Sequence, residues 1–450
     1  MRSLFAGRSG ALALALALTA VAVRLWNVLR YPPDWGYDAA ANWRYIYRMA
    51  QDWALPNPSA GWSTADPPLF FTAAAVLMDA SGFEILLVPL FNTAVGLGLV
   101  ALAVLLVREL DPERPRRALL AGGLLLYLPA HIYMSAMVGE EMLVAFFTSL
   151  CAFLLARRAA GRAAAPGGAD GLRNATAVGV AAGLALLTKL TGALAALTAV
   201  ATYALDGLRR RAWRPAVVRM LVVVLLAMLV GGWYFARNRA LYGYFQPFGL
   251  PAHEVMFSMP PGERTLLDYV RLPLATWTDP QLLHPDLLHS VWGSTYATTW
   301  FDGHRFFLPR DSAGVRALGG ATLLFALLPM LAFAAGLVGG ARRARAAPDS
   351  PDTPLLLLVA LTLAGYAVYT WQNPWFAVLK GTSLLGLSLP FAYFASDALE
   401  RWTAPGRRSA PLIWTVLAGL AVAVVLSGTF NLAFEKAEVS GLEWQEPERR

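Results

Sequence analysis

The chain alternates apolar runs with polar connections from one end to the other. The runs fall near 9–29, 84–107, 118–137, 141–156, 174–188, 190–206, 217–235, 313–339, 354–371, 375–396 and 410–430. Most have the roughly 17–25 residues that a helix needs to cross about 30 Å of hydrocarbon. The pattern predicts an all-α polytopic membrane protein, a bundle of about eleven transmembrane helices. A further apolar segment, PPLFFTAAAVLMDA (67–80), has only about fourteen residues and suits an interfacial or re-entrant helix better than a span. Between the first two runs the period changes. From Asp38 onward, Trp43, Ile46, Tyr47, Ala50 and Trp53 recur at helical spacing, with Arg44, Arg48, Gln51 and Asp52 on the other side. This describes an amphipathic helix lying on the membrane surface.

Composition supports the membrane reading. Hydrophobic residues make up 57% and charged residues only 15%, against about a quarter charged in soluble domains. The net charge of +8 does not point to nucleic acid, because the arginines cluster in connections between apolar runs, as membrane topology requires. The N-terminus, 108–117, 157–173, 207–219, 340–353 and 397–409 together carry 21 Arg and Lys. The alternate set is 30–83, 138–140, the turn at Lys189, 236–312, 372–374 and the tail from 431. It carries 13 over a much longer stretch. The first set is therefore expected in the cytoplasm. Counting 67–80 as a span would reverse every later connection.

The expected layout is one integral membrane domain, 1–450. It has a cytoplasmic N-terminus, a first outer loop at 30–83 with amphipathic helices, a large outer loop at 236–312 and an outer tail at 431–450. Arg2 and Arg8 ahead of ALALALALTAVAV also fit a signal peptide. The apolar pattern continues past Arg24 through Leu25, Trp26 and Leu29, which favours an uncleaved first span. The single cysteine, Cys151, lies in an apolar run, so no intrachain disulfide can form. Three lysines against 34 arginines, with abundant alanine, suggest a GC-rich bacterial genome, hence a bacterial inner membrane.

Candidate chemistry gathers in the outer connections, which are longer than connection alone requires. Asp38 begins the amphipathic helix, either as an N-cap accepting backbone N–H bonds or as a base that takes a proton from an incoming hydroxyl. Glu140 and Glu141, in VGEEML, open a span. They either complement its dipole or form a second acidic group facing Asp38. Lys189 sits in a tight apolar hairpin, LALLTKLTGALA, where an unpaired ammonium is costly; snorkelling is the alternative. Arg237 and Arg239 emerge on the outer side, where an anionic phosphate or lipid headgroups would explain them. In HSVWGSTYATTWFDGHRFFLP (289–309), aromatic planes beside Asp302 and His304 suit a sugar or an interfacial belt. His289, Asp302 and His304 match no strong metal-ligand spacing.

The segments YDAAANWRYIYRMAQDWALPNPSAGW with DPPLFF, LPAHIYMSAMVGEEML, LALLTKLTG and RNRALYGYFQPFG resemble the GT-C superfamily of polyprenyl-phosphate-sugar-dependent glycosyltransferases. Within it, the resemblance is to the protein mannosyltransferase and aminoarabinose transferase-like families, over roughly residues 10–250. It implies an inverting transfer of a hexosyl or pentosyl group from a polyprenyl-phosphate donor. The implied acceptor is a hydroxyl on a lipid-linked glycan or glycolipid at the outer face. By motif, Asp38 would be the base and Glu141 with Glu140 a second acidic group. Lys189, Arg237 and Arg239 would bind the donor phosphate. Trp62, Asp66, Tyr242, Asp302 and His304 would be substrate-binding candidates. No cofactor is required, since cations neutralise the leaving phosphate, and a divalent metal is not indicated. Relatives often carry an acidic pair where Asp38 is followed by Ala39. The rival readings are a transporter or flippase, which would place ionisable groups near the midplane, and an oligosaccharide ligase or polymerase.

Overall fold

The computed structural model describes residues 8–32, 34–161, 169–247, 258–281, 283–303, 312–347 and 349–433. Among the described residues, ten helices are long and apolar enough to cross a membrane, or eleven when one bent pair counts as a single span. The chain is thus a multi-pass helical membrane protein. In chain order the helices are α1 (Arg8–Arg30), α2 (Ala39–Asp52), α3 (Leu69–Ala80), α4 (Leu87–Leu110), α5 (Pro115–Leu126), α6 (Pro129–Ala136), α7 (Glu141–Ala159) and α8 (Ala169–Thr188). They continue with α9 (Ala193–Arg209), α10 (Trp213–Ala227), α11 (Trp233–Tyr242), α12 (Val291–Trp300), α13 (Ala313–Ala346), α14 (Asp352–Gln372), α15 (Ser388–Trp402) and α16 (Ala410–Ala433). Leucines such as Leu12, Leu221, Leu331 and Leu412 face outward, as lipid-facing positions do. The short apolar segment is the twelve-residue α3, and the last helix runs through 431–433, leaving the rest of the expected tail outside the described residues.

One expected span is bent and another opens on irregular backbone. The run at 118–137 forms α5 and α6, bent by 54°. Pro129 starts α6, and Leu128 before it is extended (φ −82°, ψ 114°), because the proline ring excludes the preceding residue from helical geometry. The carbonyls left open at the end of α5 are met from α1, where buried Arg24 donates to Leu126 O (2.8 Å) and Leu125 O (3.1 Å). The run at 375–396 opens with 3₁₀ turns at Phe376–Val378 and Gly381–Leu387 before α15 begins. Irregular backbone at that position is tolerable because protein surrounds it; Val378, Leu379, Leu385 and Leu387 are buried.

The amphipathic helix exists as α2, and its stripe divides. Trp43, Ile46 and Ala50 are buried together with Tyr45 and Met49. They face α3, where Tyr45 stacks on Phe71 at 4.0 Å. Trp53 is left exposed and Tyr47 half-buried. Much of the apolar face is therefore covered by protein rather than by headgroups.

Candidate active site

Several connections at one end of the bundle deliver ionisable side chains to a common region. Asp38 is the first. It precedes α2 in the left-handed region (φ 57°, ψ 11°), and its side chain caps no helix N–H. The N-cap reading is therefore corrected: Asp tolerates this backbone, and the carboxylate turns away from its own helix. Its Oδ2 lies 3.6 Å from Lys380 Nζ, with the two side chains 38% and 21% exposed. The same ammonium sits 4.6 Å from the centre of the Tyr37 ring.

Lys380 comes from the irregular start of the run at 375–396. Its segment is held by Phe376 N–H donating to Pro260 O (2.9 Å) and by Gly381 N–H donating to Thr298 Oγ1 (2.8 Å). Sequence reasoning missed it. The one available signal was compositional: lysine occurs three times beside 34 arginines, and two of the three lie at this site.

The other lysine, Lys189, occupies an extended residue (φ −158°, ψ 147°) between α8 and a short 3₁₀ turn. Gly192 closes this turn, because a Cβ there would meet the Ala185 carbonyl carbon at 2.1 Å. The Lys189 ammonium donates to Glu140 Oε1 (2.5 Å) and Glu141 Oε1 (3.0 Å). It is therefore neither snorkelling nor free, and the phosphate role implied for it must share the ammonium with two glutamates. The turn carrying them is fixed by two buried asparagines. Asn42 donates to Val138 O (2.8 Å), and Asn92 to Met137 O (2.8 Å) and Gly139 O (3.1 Å).

Charge within the cluster is unbalanced. Burial pushes the Glu140 carboxyl above the usual range, Glu141 adds to this, and Lys189 opposes it. For Lys189 burial favours the neutral amine, but Glu140, Glu141 and Asp66 hold it charged, with its pKa well above the ordinary value. Asp66 is raised well above the carboxylate range by desolvation, then by Glu140, with Lys189 opposing and Asp38 and Glu141 adding repulsion. Four carboxylates thus share two ammonium groups.

Tyr37 also lines a small cleft with Tyr133, Thr298, Asp302 and Thr382 among others. Asp302 is buried there. Burial and the charges of Asp302, Glu141 and Asp38 raise the Tyr37 phenol well above its usual value.

The remaining candidates divide. Arg237 reaches Leu55 O (3.5 Å) and lies 5.7 Å from the Tyr242 ring, at the edge of the first loop near Tyr45 and Tyr234. Tyr242 stacks with Tyr244 at 6.1 Å. Arg239 is exposed and folds back onto Gly243 O of its own helix end, so the structure does not bring it to the cluster. Trp62 is half-buried in the first loop. His289 faces Asp268 Oδ1 at 3.8 Å rather than Asp302, and His304 lies outside the described residues.

The comparisons bear on the fold and on one segment. Residues 66–241 match the family model described as dolichyl-phosphate-mannose-protein mannosyltransferase. No curated protein matches the chain. Among solved structures, the oligosaccharyltransferase of Archaeoglobus fulgidus in complex with zinc and sulfate is 16% identical with a TM-score of 0.54, covering 92% of this chain and 52% of that one. The same protein tethered to an acceptor peptide gives 15%, 0.51, 93% and 54%. ArnT from Cupriavidus metallidurans, bound to undecaprenyl phosphate, is 19% identical with a TM-score of 0.43, covering 91% and 81%. The chain spans about half the length of the oligosaccharyltransferase it matches. Residues 66–241 thus match a mannosyltransferase family model, and the chain as a whole is a polytopic membrane protein whose helical fold is similar to that of the archaeal oligosaccharyltransferase.

Proposed function

We propose that this protein transfers a sugar from a polyprenyl-phosphate donor to a hydroxyl of a lipid-linked glycan or glycolipid, with inversion and with Asp38 as general base. The observation that carries this reading is the pairing of Asp38 with Lys380, an acceptor of protons beside a source of positive charge. In the transfer, the acceptor O–H gives its proton to Asp38 while its oxygen bonds to the anomeric carbon. The bond from that carbon to the phosphate oxygen breaks, and its electron pair leaves with the lipid phosphate. A cation near the departing oxygen stabilises the charge that gathers there. Lys380 takes this role over from Lys189, whose ammonium is held by two glutamates.

The ion pair also supplies an order of events. At 3.6 Å Lys380 and Asp38 form a loose pair, partly open to solvent. An arriving phosphate competes for the ammonium, and the carboxylate it leaves behind becomes the stronger base. The glutamates, Asp66 and Asp302 surround this centre with acceptors suited to sugar hydroxyls. Arg237 and Tyr242, at the edge of the first loop, line the side from which the lipid phosphate approaches. By arginine distribution, the site faces the periplasm of a bacterial inner membrane.

The test is to incubate purified protein with a panel of polyprenyl-phosphate sugars and measure released lipid phosphate, with Asp38→Asn in parallel. Release from wild type and its loss in the variant support the reading. Full turnover in Asp38→Asn removes the base.

A further inference from the structure

The segment that pairs with Lys380's loop has an unusual surface. Residues 265–270 form a short turn capped by reciprocal bonds between Thr265 and Asp268. Buried Arg264 donates to Leu288 O (2.6 Å), and Ser290 Oγ donates to Arg271 O (2.7 Å). The outer side is apolar. Among the described residues Leu266 is 78% exposed, Val270 76% and Leu274 73%, with Leu267 and Leu272 also more than half exposed. A water-facing loop of this anchoring would carry the opposite pattern.

Its height is set by α14. Tyr269 donates its hydroxyl to Ala367 O (3.1 Å) and lies 2.9 Å from Thr370 Oγ1, and its ring packs on Trp371. These partners lie within the last six residues of a 21-residue helix, which at 1.5 Å per residue roughly matches the ~30 Å hydrocarbon thickness. Tyr269 therefore meets the span within about 8 Å of its end, at the boundary of one leaflet. Exposed Val368, Tyr369 and Trp371 make the span's lipid-facing surface continuous with the exposed leucines. The exposed charge within 265–274 is Arg271, whose guanidinium is held by Asp286 at 2.6 Å.

We infer that residues 265–274 are a wedge immersed in the acyl-chain boundary of the leaflet on the site's side, its partner being lipid rather than protein. The wedge is tied by main-chain bonds, Phe376 N–H to Pro260 O and Gly262 N–H to Pro374 O, to the segment that carries Lys380. It anchors the site at lipid depth whatever reaction the site performs.

The test uses a Cys151→Ala background with Leu266→Cys, Val270→Cys or Asn57→Cys labelled by an environment-sensitive fluorophore. The full chain is placed in phosphatidylcholine–phosphatidylglycerol vesicles with or without lipids spin-labelled high on the acyl chain. Labels at 266 and 270 should be quenched about two-fold or more relative to 57, as for a face buried roughly 5–10 Å into the boundary. Equal quenching at all three positions would overturn the inference. So would protection that appears only when two labelled copies meet, since that would make the patch a protein interface.

Discussion

The two ends of the bundle handle charge in opposite ways. Helix α7 runs from Glu141 at one end to Arg157 and Arg158 at the other, and the two regions differ in cation as well as in balance. At the arginine end, buried Asp397 receives Arg114 (3.0 Å), Arg343 (3.1 Å) and Arg401 (2.8 Å). Arg343 also holds Asp352 at 2.6 Å, and Asp206 takes Arg158 at 2.7 Å and Arg210 at 2.6 Å. Guanidinium forks suit this task because they are planar, always charged and donate in several directions. At the lysine end, four carboxylates meet two ammonium groups, and Asp66 and Glu140 are held above their ordinary range. Matched charge fixes helices in place. On the proposed function, an acidic excess around compact cations lets them exchange partners with a substrate.

Four experiments would break or sharpen this contrast. The largest expected effect is at Asp38: Asn there should lower turnover by about 10²–10⁴-fold, the usual range for a general base, with little change in Tm. If Asp38→Asn instead lowered Tm and left turnover intact, the lysine end would be as structural as the arginine end. Next is Asp397→Ala, which removes the carboxylate that Arg114, Arg343 and Arg401 share, leaving Arg343 with Asp352 and Arg114 with Glu400. It should cost about 3 kcal/mol, toward the lower end for a broken buried pair because the arginines can rehydrate. The folded fraction should turn over normally; denaturation curves and single-turnover assays in detergent separate the two outcomes.

Lys380→Met should slow lipid-phosphate release about 10–100-fold, in keeping with roughly 1.5–3 kcal/mol for a hydrogen bond to a charged group. Lys380→Arg should keep part of the rate. A Lys380→Met variant with wild-type rates would return the phosphate role to Lys189 or Arg237.

The smallest effect concerns Asp66. Its carboxyl is raised in the folded protein, so folding favours the protonated form. Stability is then full below the unfolded value of about 3.9 and falls as pH rises through the higher native one. Asp66→Asn should therefore have a higher Tm than wild type at pH 8, with the gap closing toward pH 4. A gap that widened on acidification would reverse the sign and remove Asp66 from the acidic cluster.

Much of the fold was legible as a pattern. The eleven apolar runs reappear as ten spans and one bent pair, and 67–80 appears as the short helix α3. Hydrophobic length is a local property that lipid reads directly. The bend after α5 was written in Pro129, but only as a kink whose angle depends on what packs beside it. Within the site, Asp38, Glu140, Glu141 and Lys189 stood out because ionisable groups beside apolar runs are costly. Their partners were not legible. Lys380 looked like the start of a span, and the ion pair that engages Lys189 joins residues 48 and 49 positions apart. Arg239 has the same composition signal as Arg237 yet turns back on its own helix.

By itself the sequence determined the number of apolar runs, which connections carry the arginines and which connections are too long to be mere links, because each depends on residues near one another in the chain. The tertiary structure alone decided that Asp38 leaves its helix for Lys380, that Lys189 is held between two glutamates and that the leucines after Arg264 lie beside the end of a span. Those outcomes depend on distances between helices, and Coulomb energy and burial act through space without regard to position in the chain.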